Sequence, residues 1–186
     1  MDPAEQGYRQ FLNGDMTGME IIVNEHYDGL TFYLNTILHN LTDAEELAEE
    51  TLYLLMSQKP VFNGKSSFKT WLYAIGRNQA CTYLKRKGRE AALEPEAIEK
   101  MREKEYYDVE QKFLKAEQFK QLYCELSGLK KEYRQVIWLK YFEEMTGREI
   151  AEVMGKTLFS VNHLLQKAKE ELRKRLEKGG MVLEKS

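Results

Sequence analysis

Residues 67–89 read SFKTWLYAIGRNQACTYLKRKGR, a run without one carboxylate in a 186-residue chain whose formal net charge is −2. Phe68, Trp71, Leu72 and Ile75 recur at helical spacing and make one apolar face. Lys69, Tyr73 and Arg77 follow at four-residue steps on the opposite face. A stripe that alternates cation, aromatic and cation suits nucleic acid with unstacked bases. The cations hold phosphates, and the ring offers a platform worth about 1–3 kcal/mol per stacked base. Gly76 lies inside the helix, where it costs about 1 kcal/mol relative to Ala, and close approach of a second backbone is one reason for it. Lys85, Arg86, Lys87 and Arg89 crowd the helix end, with Gly88 as a stop signal. The plainer reading is an amphipathic helix with a solvated basic face and a core tryptophan.

These residues also resemble the promoter-melting segment of the extracytoplasmic-function (ECF) group of bacterial sigma-70 factors. The family pattern there is roughly G-S-F-x-x-W-L-x-x-I-A-R-N, followed by a basic helix end. Ser67, Phe68, Trp71, Leu72, Ile75, Arg77 and Asn78 match it, and Gly76 stands where Ala is usual. The resemblance implies that Lys69, Tyr73, Arg77, Asn78, Lys85 and Arg86 face the −10 promoter element.

Bulk properties agree with helical domains. The chain is 42% hydrophobic and 31% charged, with only 3 Pro, so packed cores and long exposed helices are both permitted. Cys81 and Cys124 lie far apart within helical patterns and read as free thiols of a reducing cytoplasm. The N-terminus MDPAEQGYRQ is polar and unlike a signal peptide, and no apolar run approaches a bilayer-spanning length. His26, His39 and His163 are scattered, and neither a metal-ligand spacing, a phosphate loop nor a nucleophile motif occurs. The expectation is a non-enzymatic protein without metal or cofactor.

Taken in order, Pro3 to Leu12 reads as a helix capped by Asp2, with Pro3 at its first position. Asn13-Gly14-Asp15 is a turn. Met19 to Tyr27 and Leu30 to Leu41 read as two further helices. Thr42 or Asp43 would cap a fourth, Ala44 to Gln58, with Leu47, Leu54 and Leu55 inward and Glu45, Glu46, Glu49 and Glu50 outside. A solvated acidic face is the plain reading. The segment is also similar to the family's D-A-E-D-L-x-Q-E-x-F stretch, which docks on the β′ clamp helices of RNA polymerase. Asp43, Glu45, Glu46 and Glu50 match, Glu49 replaces the usual Gln, and Leu52 replaces the usual aromatic.

QKPVFNGKS, residues 58–66, is a loop with strong turn signals at Pro60 and Asn63-Gly64. The resemblance makes it the loop that captures a flipped −10 base, and Phe62, Asn63 and Lys65 supply an aromatic, an amide and a cation suited to that. The alternative is an ordinary connection with a buried Phe62. Residues 91–112 are charge-rich with little periodicity and read as a linker, partly helical.

Apolar periodicity resumes at Phe113 and runs to Leu126, followed by Ser127-Gly128 and a helix over Lys130 to Glu143. From Thr146 to about Leu176 the spacing Ala151, Gly155, Val161 describes a helix-turn-helix: a small residue at the crossing, a positive-φ turn, and an anchor for the second helix. Thr157 or Ser160 can cap that second helix, whose N-terminal part would enter the major groove. Candidate base or phosphate contacts are Thr157, Phe159, Ser160, Asn162, His163, Gln166 and Lys167, with Arg148 on the first helix. The phrase LKKEYRQVIWLKYFEEMTGREIAEVMG resembles the family's region 4, with Lys130 in place of the usual Pro. Asn162 and Leu164 stand where the family has cations, which weakens phosphate anchoring at the −35 element.

The whole is an all-α chain of two small helical domains: residues 1–90 like sigma region 2, a linker over 91–112, residues 113–178 like region 4, and a tail over 179–186. The resemblance implies an ECF sigma factor whose partners are core RNA polymerase (β′ clamp helices and β flap), promoter DNA and an anti-sigma factor, with no membrane insertion. Two alternatives remain. One is a sigma-like regulatory protein that reads promoters weakly. The other is a free helix-turn-helix regulator, which leaves the 67–89 stripe unexplained.

Overall fold

The computed structural model describes residues 2–91, 122 and 125–178. The described residues form helices and loops only: α1 Pro3–Leu12, α2 Thr17–Leu38, α3 Leu41–Gln58, α4 Phe68–Ala91, α5 Lys131–Tyr141, α6 Gly147–Met154 and α7 Leu158–Lys178. The expected linker and most of the 113–126 helix lie outside the described residues.

Helix α1 begins as read: Asp2 accepts from the Ala4 N–H and Pro3 occupies the first turn, where its missing donor costs nothing. It lies on α2 at unusually short range, because Gly7 and Gly18 meet backbone to backbone. A Cβ on Gly7 would fall 2.6 Å from the Gly18 carbonyl oxygen.

Two expectations change. The helices read as 19–27 and 30–41 are one continuous helix, α2, running straight through Asp28-Gly29. The cap of α3 is Asn40, whose side chain accepts from the Asp43 N–H, rather than Thr42 or Asp43. Between α2 and α3 the chain turns through His39 at φ 54°.

Helices α1 to α4 enclose one core. Ile22, Leu30, Tyr33, Leu34, Ala44, Ala48, Leu55, Phe68 and Leu72 are fully buried, and Tyr8, Phe62, Phe68 and Trp71 form an aromatic cluster with ring centroids 5.2–5.6 Å apart. Gly76 faces the side chains of Leu30 and Leu34, so the close approach that explains it is by side chains rather than by a backbone. Helices α5 to α7 pack around Val136, Leu139, Ile150, Met154, Val161 and Ala168, which are continuous with the first group in one apolar core.

The two bundles pack on one another, α5 against α2 and α6 against α4. Arg134, on α5, is the buried tie. Its guanidinium donates to the Thr36 carbonyl on α2 at 3.0 Å, and to Ser127 and Leu129 carbonyls of its own bundle. Trp138 stacks on Phe142 at 4.2 Å and meets Phe32 of α2 at 5.6 Å.

Candidate nucleic-acid interface

Ser67 starts α4, its hydroxyl accepting from the Thr70 N–H and its carbonyl from the Trp71 N–H. The helix then exposes two different faces. Asn78, Thr82, Lys85 and Arg86 are exposed, and an open groove lined by Glu50, Asn78, Gln79, Thr82, Tyr83 and Arg86 runs between α3 and α4. This surface carries side-chain amides and the cations Lys85 and Arg86, beside the Glu50 carboxylate.

The Lys69–Tyr73–Arg77 stripe does not face outward, contrary to the reading of α4 as a helix with a free basic face. Tyr73 is 0% exposed, stacked on Tyr33 at 5.4 Å. Burial, and then the neighbouring Glu143 carboxylate, raise its phenol well above the ordinary range. Lys69 pairs with Glu143 at 2.6 Å and also donates to the Glu143 carbonyl at 3.0 Å. Arg77 reaches Gln135 of α5 at 3.4 Å. The sequence missed this because Glu143 and Gln135 lie about sixty to eighty positions away in the other bundle, and Tyr33 sits on a different helix of the same one.

The 59–66 loop is pinned in its first half. The Tyr8 hydroxyl donates to Pro60 O at 2.7 Å, and Phe62 packs on Phe68 and Trp71. Phe62 therefore anchors the loop from beneath. Val61 is 85% exposed, and Asn63 and Lys65 are exposed beside it, the Asn63 side chain accepting from the Lys65 N–H.

On α3, Glu46, Glu49 and Glu50 are exposed and Glu45 is half-buried. Asp43 is engaged by Lys87 at 2.7 Å, and Tyr83 joins the same ammonium. The hydrogen bond that Lys87 donates to the Asp43 carboxylate raises the Lys87 pKa above its usual value. Leu52, read as the substitute for the family aromatic, is buried, whereas Tyr53 is 65% exposed on the acidic side. A neighbouring aromatic was present in the sequence, but only the helix phase shows which of the two points outward.

In the second bundle, α6 opens with a complete capping box: Thr146 accepts from the Glu149 N–H, and Glu149 accepts from the Thr146 N–H and hydroxyl. The other oxygen of Glu149 receives the Ser67 and Thr70 hydroxyls of α4. Burial works to raise the Glu149 carboxyl, but these hydrogen bonds outweigh it and hold the group below its usual range. Gly155 turns the chain at φ 61°, the conformation its position required. Thr157 caps α7 by accepting from the Ser160 N–H. Beyond that cap, Phe159 is 82% exposed, and Asn162, His163, Gln166 and Lys167 are exposed on the same helix. Arg148 is exposed on α6, and Lys156 pairs with Glu132. Phe159, Asn162, His163, Gln166 and Lys167 thus share the N-terminal half of α7, with Ser160 half-buried among them, Thr157 just before the helix and Arg148 on α6.

Asp2, Glu25 and His26 place one donor atom each within 4.8 Å of one another, a grouping the sequence did not suggest. Asp2 already serves as the cap of α1.

Two profiles from one family match this chain: Sigma-70 region 2 over residues 22–90, and Sigma-70, region 4 over residues 119–172. The RNA polymerase sigma factor YlaC of Bacillus subtilis (strain 168) is 30% identical over 160 residues, spanning 86% of this chain and 92% of YlaC. The chain belongs to the ECF group of sigma-70 factors. ECF RNA polymerase sigma factor SigW of the same organism is 25% identical over 175 residues, covering 90% of this chain and 94% of SigW. Two solved structures share the fold, each with a TM-score of 0.65. The sigma factor RpoE of Bartonella quintana, in complex with the anti-sigma factor NepR, is 17% identical and matches 85% of this chain and 96% of its own. CnrH, in complex with the cytosolic domain of CnrY, is 19% identical and matches 95% of this chain and 99% of its own. This ECF sigma factor is an initiation factor and not an enzyme. Its family binds core RNA polymerase and promoter DNA, the latter in part through the region 4 helix-turn-helix. Among the described residues, no helix is long and apolar enough to cross a membrane.

Proposed function

We propose that the two bundles divide promoter recognition between them. Region 2, residues 1–90, reads and opens the −10 element. Region 4, residues 113–178, reads the −35 duplex, and the segment over 91–112 joins them. The observation that carries this is the cluster of exposed Phe159, Asn162, His163, Gln166 and Lys167 beyond a capped, glycine-turned helix start. Asn162 and Gln166 suit adenine edges, and Phe159 suits a thymine methyl group. Thr157, Ser160, Arg148 and Lys167 would position the backbone.

In region 2, the Asn78, Lys85 and Arg86 face and the loop carrying Asn63 and Lys65 suit the displaced strand, with Lys69, Tyr73 and Arg77 joining once uncovered. Phe62 supports that loop from below. Unstacking costs a few kcal/mol per step, which phosphate contacts and stacking offset. The acidic side of α3, with Glu45, Glu46, Glu49, Glu50 and now Tyr53, is the surface offered to the polymerase clamp helices, while region 4 meets the β flap. Asp43 reaches that surface only if Lys87 releases it. The protein works in the cytoplasm, and an anti-sigma factor is its expected regulator, given that the structural neighbour RpoE is bound to one.

The test is transcription from a promoter library by purified core polymerase with and without this protein. Sequence-specific starts that require it support the reading. Changing Asn162 and Gln166 to Ala should then alter −35 preference while leaving −10 preference alone, and an unchanged −35 preference removes α7 from the readout. Lys69→Ala with Arg77→Ala should lower open-complex formation more than polymerase binding.

A further inference from the structure

We propose that the α5–α6 loop is an intramolecular competitor for the −10 strand, closing the free protein by placing the Glu143 carboxylate where a phosphate would sit. This rests on the reading that the Lys69–Tyr73–Arg77 stripe binds the displaced strand. Region 4 meets every member of that stripe. Glu143 takes the Lys69 ammonium through both its carboxylate, at 2.6 Å, and its backbone carbonyl, at 3.0 Å. Gln135 takes Arg77. Tyr73 is sealed beneath, and Glu149 fastens the helix start through Ser67 and Thr70.

The Glu143 site is built rather than incidental. Its side chain is only 7% exposed, and Trp138 Nε1 donates to the same carboxylate at 3.1 Å. Gly29 leaves the room for it: a Cβ there would lie 2.8 Å from a Glu143 carboxylate oxygen and 2.5 Å from the Tyr73 hydroxyl. The next residue, Glu144, holds φ at 56°, a conformation that a non-glycine residue adopts at a cost. A backbone held that way at this point presents Glu143 inward.

The chemistry makes the two occupants exclusive. An ammonium committed to two oxygens of one glutamate has little left for a phosphate, and a fully buried phenol ring cannot stack on a base. Strand binding by the free protein is therefore reduced by the fraction of molecules that are open.

The experiment uses the full chain with Cys81 and Cys124 changed to Ser and dyes at exposed Ser57 and Glu170, each changed to Cys. Energy transfer reports closure, and anisotropy reports binding of a random-sequence DNA single strand. Glu143→Ala should lower transfer and tighten strand binding about tenfold, with Glu143→Gln falling between. If Glu143→Ala fails to fold by circular dichroism, Gln135→Ala with Glu149→Gln removes the flanking contacts and should shift both readouts the same way. Unchanged transfer in a folded variant overturns the latch. Lower transfer without tighter binding overturns the competition. In that case Lys69→Ala with Arg77→Ala, added to the open variant, decides the underlying reading. Loss of the residual binding leaves the stripe as a strand site without a competitor, whereas no loss removes the stripe as well.

Discussion

Arg134→Met should cost this protein about 3 kcal/mol. The guanidinium is buried and serves three carbonyl oxygens: Thr36 in region 2, and Ser127 and Leu129 in the turn before α5. Methionine fills much of the volume but donates nothing. The bonds to Thr36 and Leu129 are buried, and each orphaned acceptor costs about 1–3 kcal/mol. Ser127 is half-buried and can rehydrate. Against that loss stands the relief of no longer desolvating a guanidinium, which keeps the net figure toward the lower half of the sum. Arg134→Lys should fall between, since one ammonium cannot span three divergent carbonyls. The chain has two tryptophans, Trp71 in region 2 and Trp138 in region 4, so each variant can be followed in a Trp71→Phe background by Trp138 alone. Urea unfolding then reports region 4 and its seam with Phe32. A two-bundle chain can unfold in steps, and this single probe isolates the relevant one. A loss below about 1 kcal/mol for Arg134→Met would refute the claim that these carbonyls depend on the guanidinium.

Other outcomes follow from single contacts. His26 is buried between Phe68 and Tyr73, and burial, then the nearby Lys69, hold its pKa below the ordinary 6.5, against a weaker opposing pull from Asp2 and Glu143. The unfolded chain therefore takes up the proton first, so stability is full above pH 6.5 and declines as pH falls below it. His26→Phe, which leaves no polar orphan behind because Nε2 has no hydrogen-bond partner, should flatten the fall in melting temperature between pH 7.5 and pH 5.5. An equal slope in both proteins would assign the acid sensitivity elsewhere. Gly18→Ala should destabilise region 2 by about 3 kcal/mol, since its Cβ would fall 2.8 Å from Phe11 N with no flexible side chain to yield; melting curves check it. Thr157→Ala should cost about 1 kcal/mol through loss of the α7 cap, and a matching loss of −35 duplex affinity in gel-shift titrations of the holoenzyme would show that the cap also presents the recognition end.

Local features were legible in the sequence because their physics is local. The Asp2 cap, the Pro3 start, the Gly155 turn and the Thr146 helix start each depend on residues within four positions of one another. The failures are non-local. Asp28-Gly29 looks like an interruption, yet α2 continues through it, because that glycine makes room for Tyr73 and Glu143 from elsewhere in the chain. Tyr73 looks like a surface aromatic between two cations, and only the packing of Tyr33 beneath it and Glu143 beside it shows otherwise. Phe62 had two readings, and the cluster with Phe68 and Trp71 favours the anchoring one.

The α4 helix explains why its amphipathic reading was incomplete. Its apolar face packs into region 2, and the stripe read as its polar face meets a second protein surface. Lysine and arginine are compatible with that because a carboxylate or amide satisfies them as a phosphate does. The same side chains can therefore serve a closed state and a DNA-bound state without a change in sequence, provided the closed contacts are not too strong. Removing one member of a buried ion pair costs about 3–5 kcal/mol, whereas an intact pair roughly breaks even against its desolvation. The intact Lys69–Glu143 pair thus contributes little net stability and becomes costly only when one charge is left alone. Opening exposes both charges to water together and avoids that penalty. Exchange of Glu143 for a phosphate leaves Lys69 paired throughout, so the gain from polymerase and promoter contacts need exceed only the modest net value of closure.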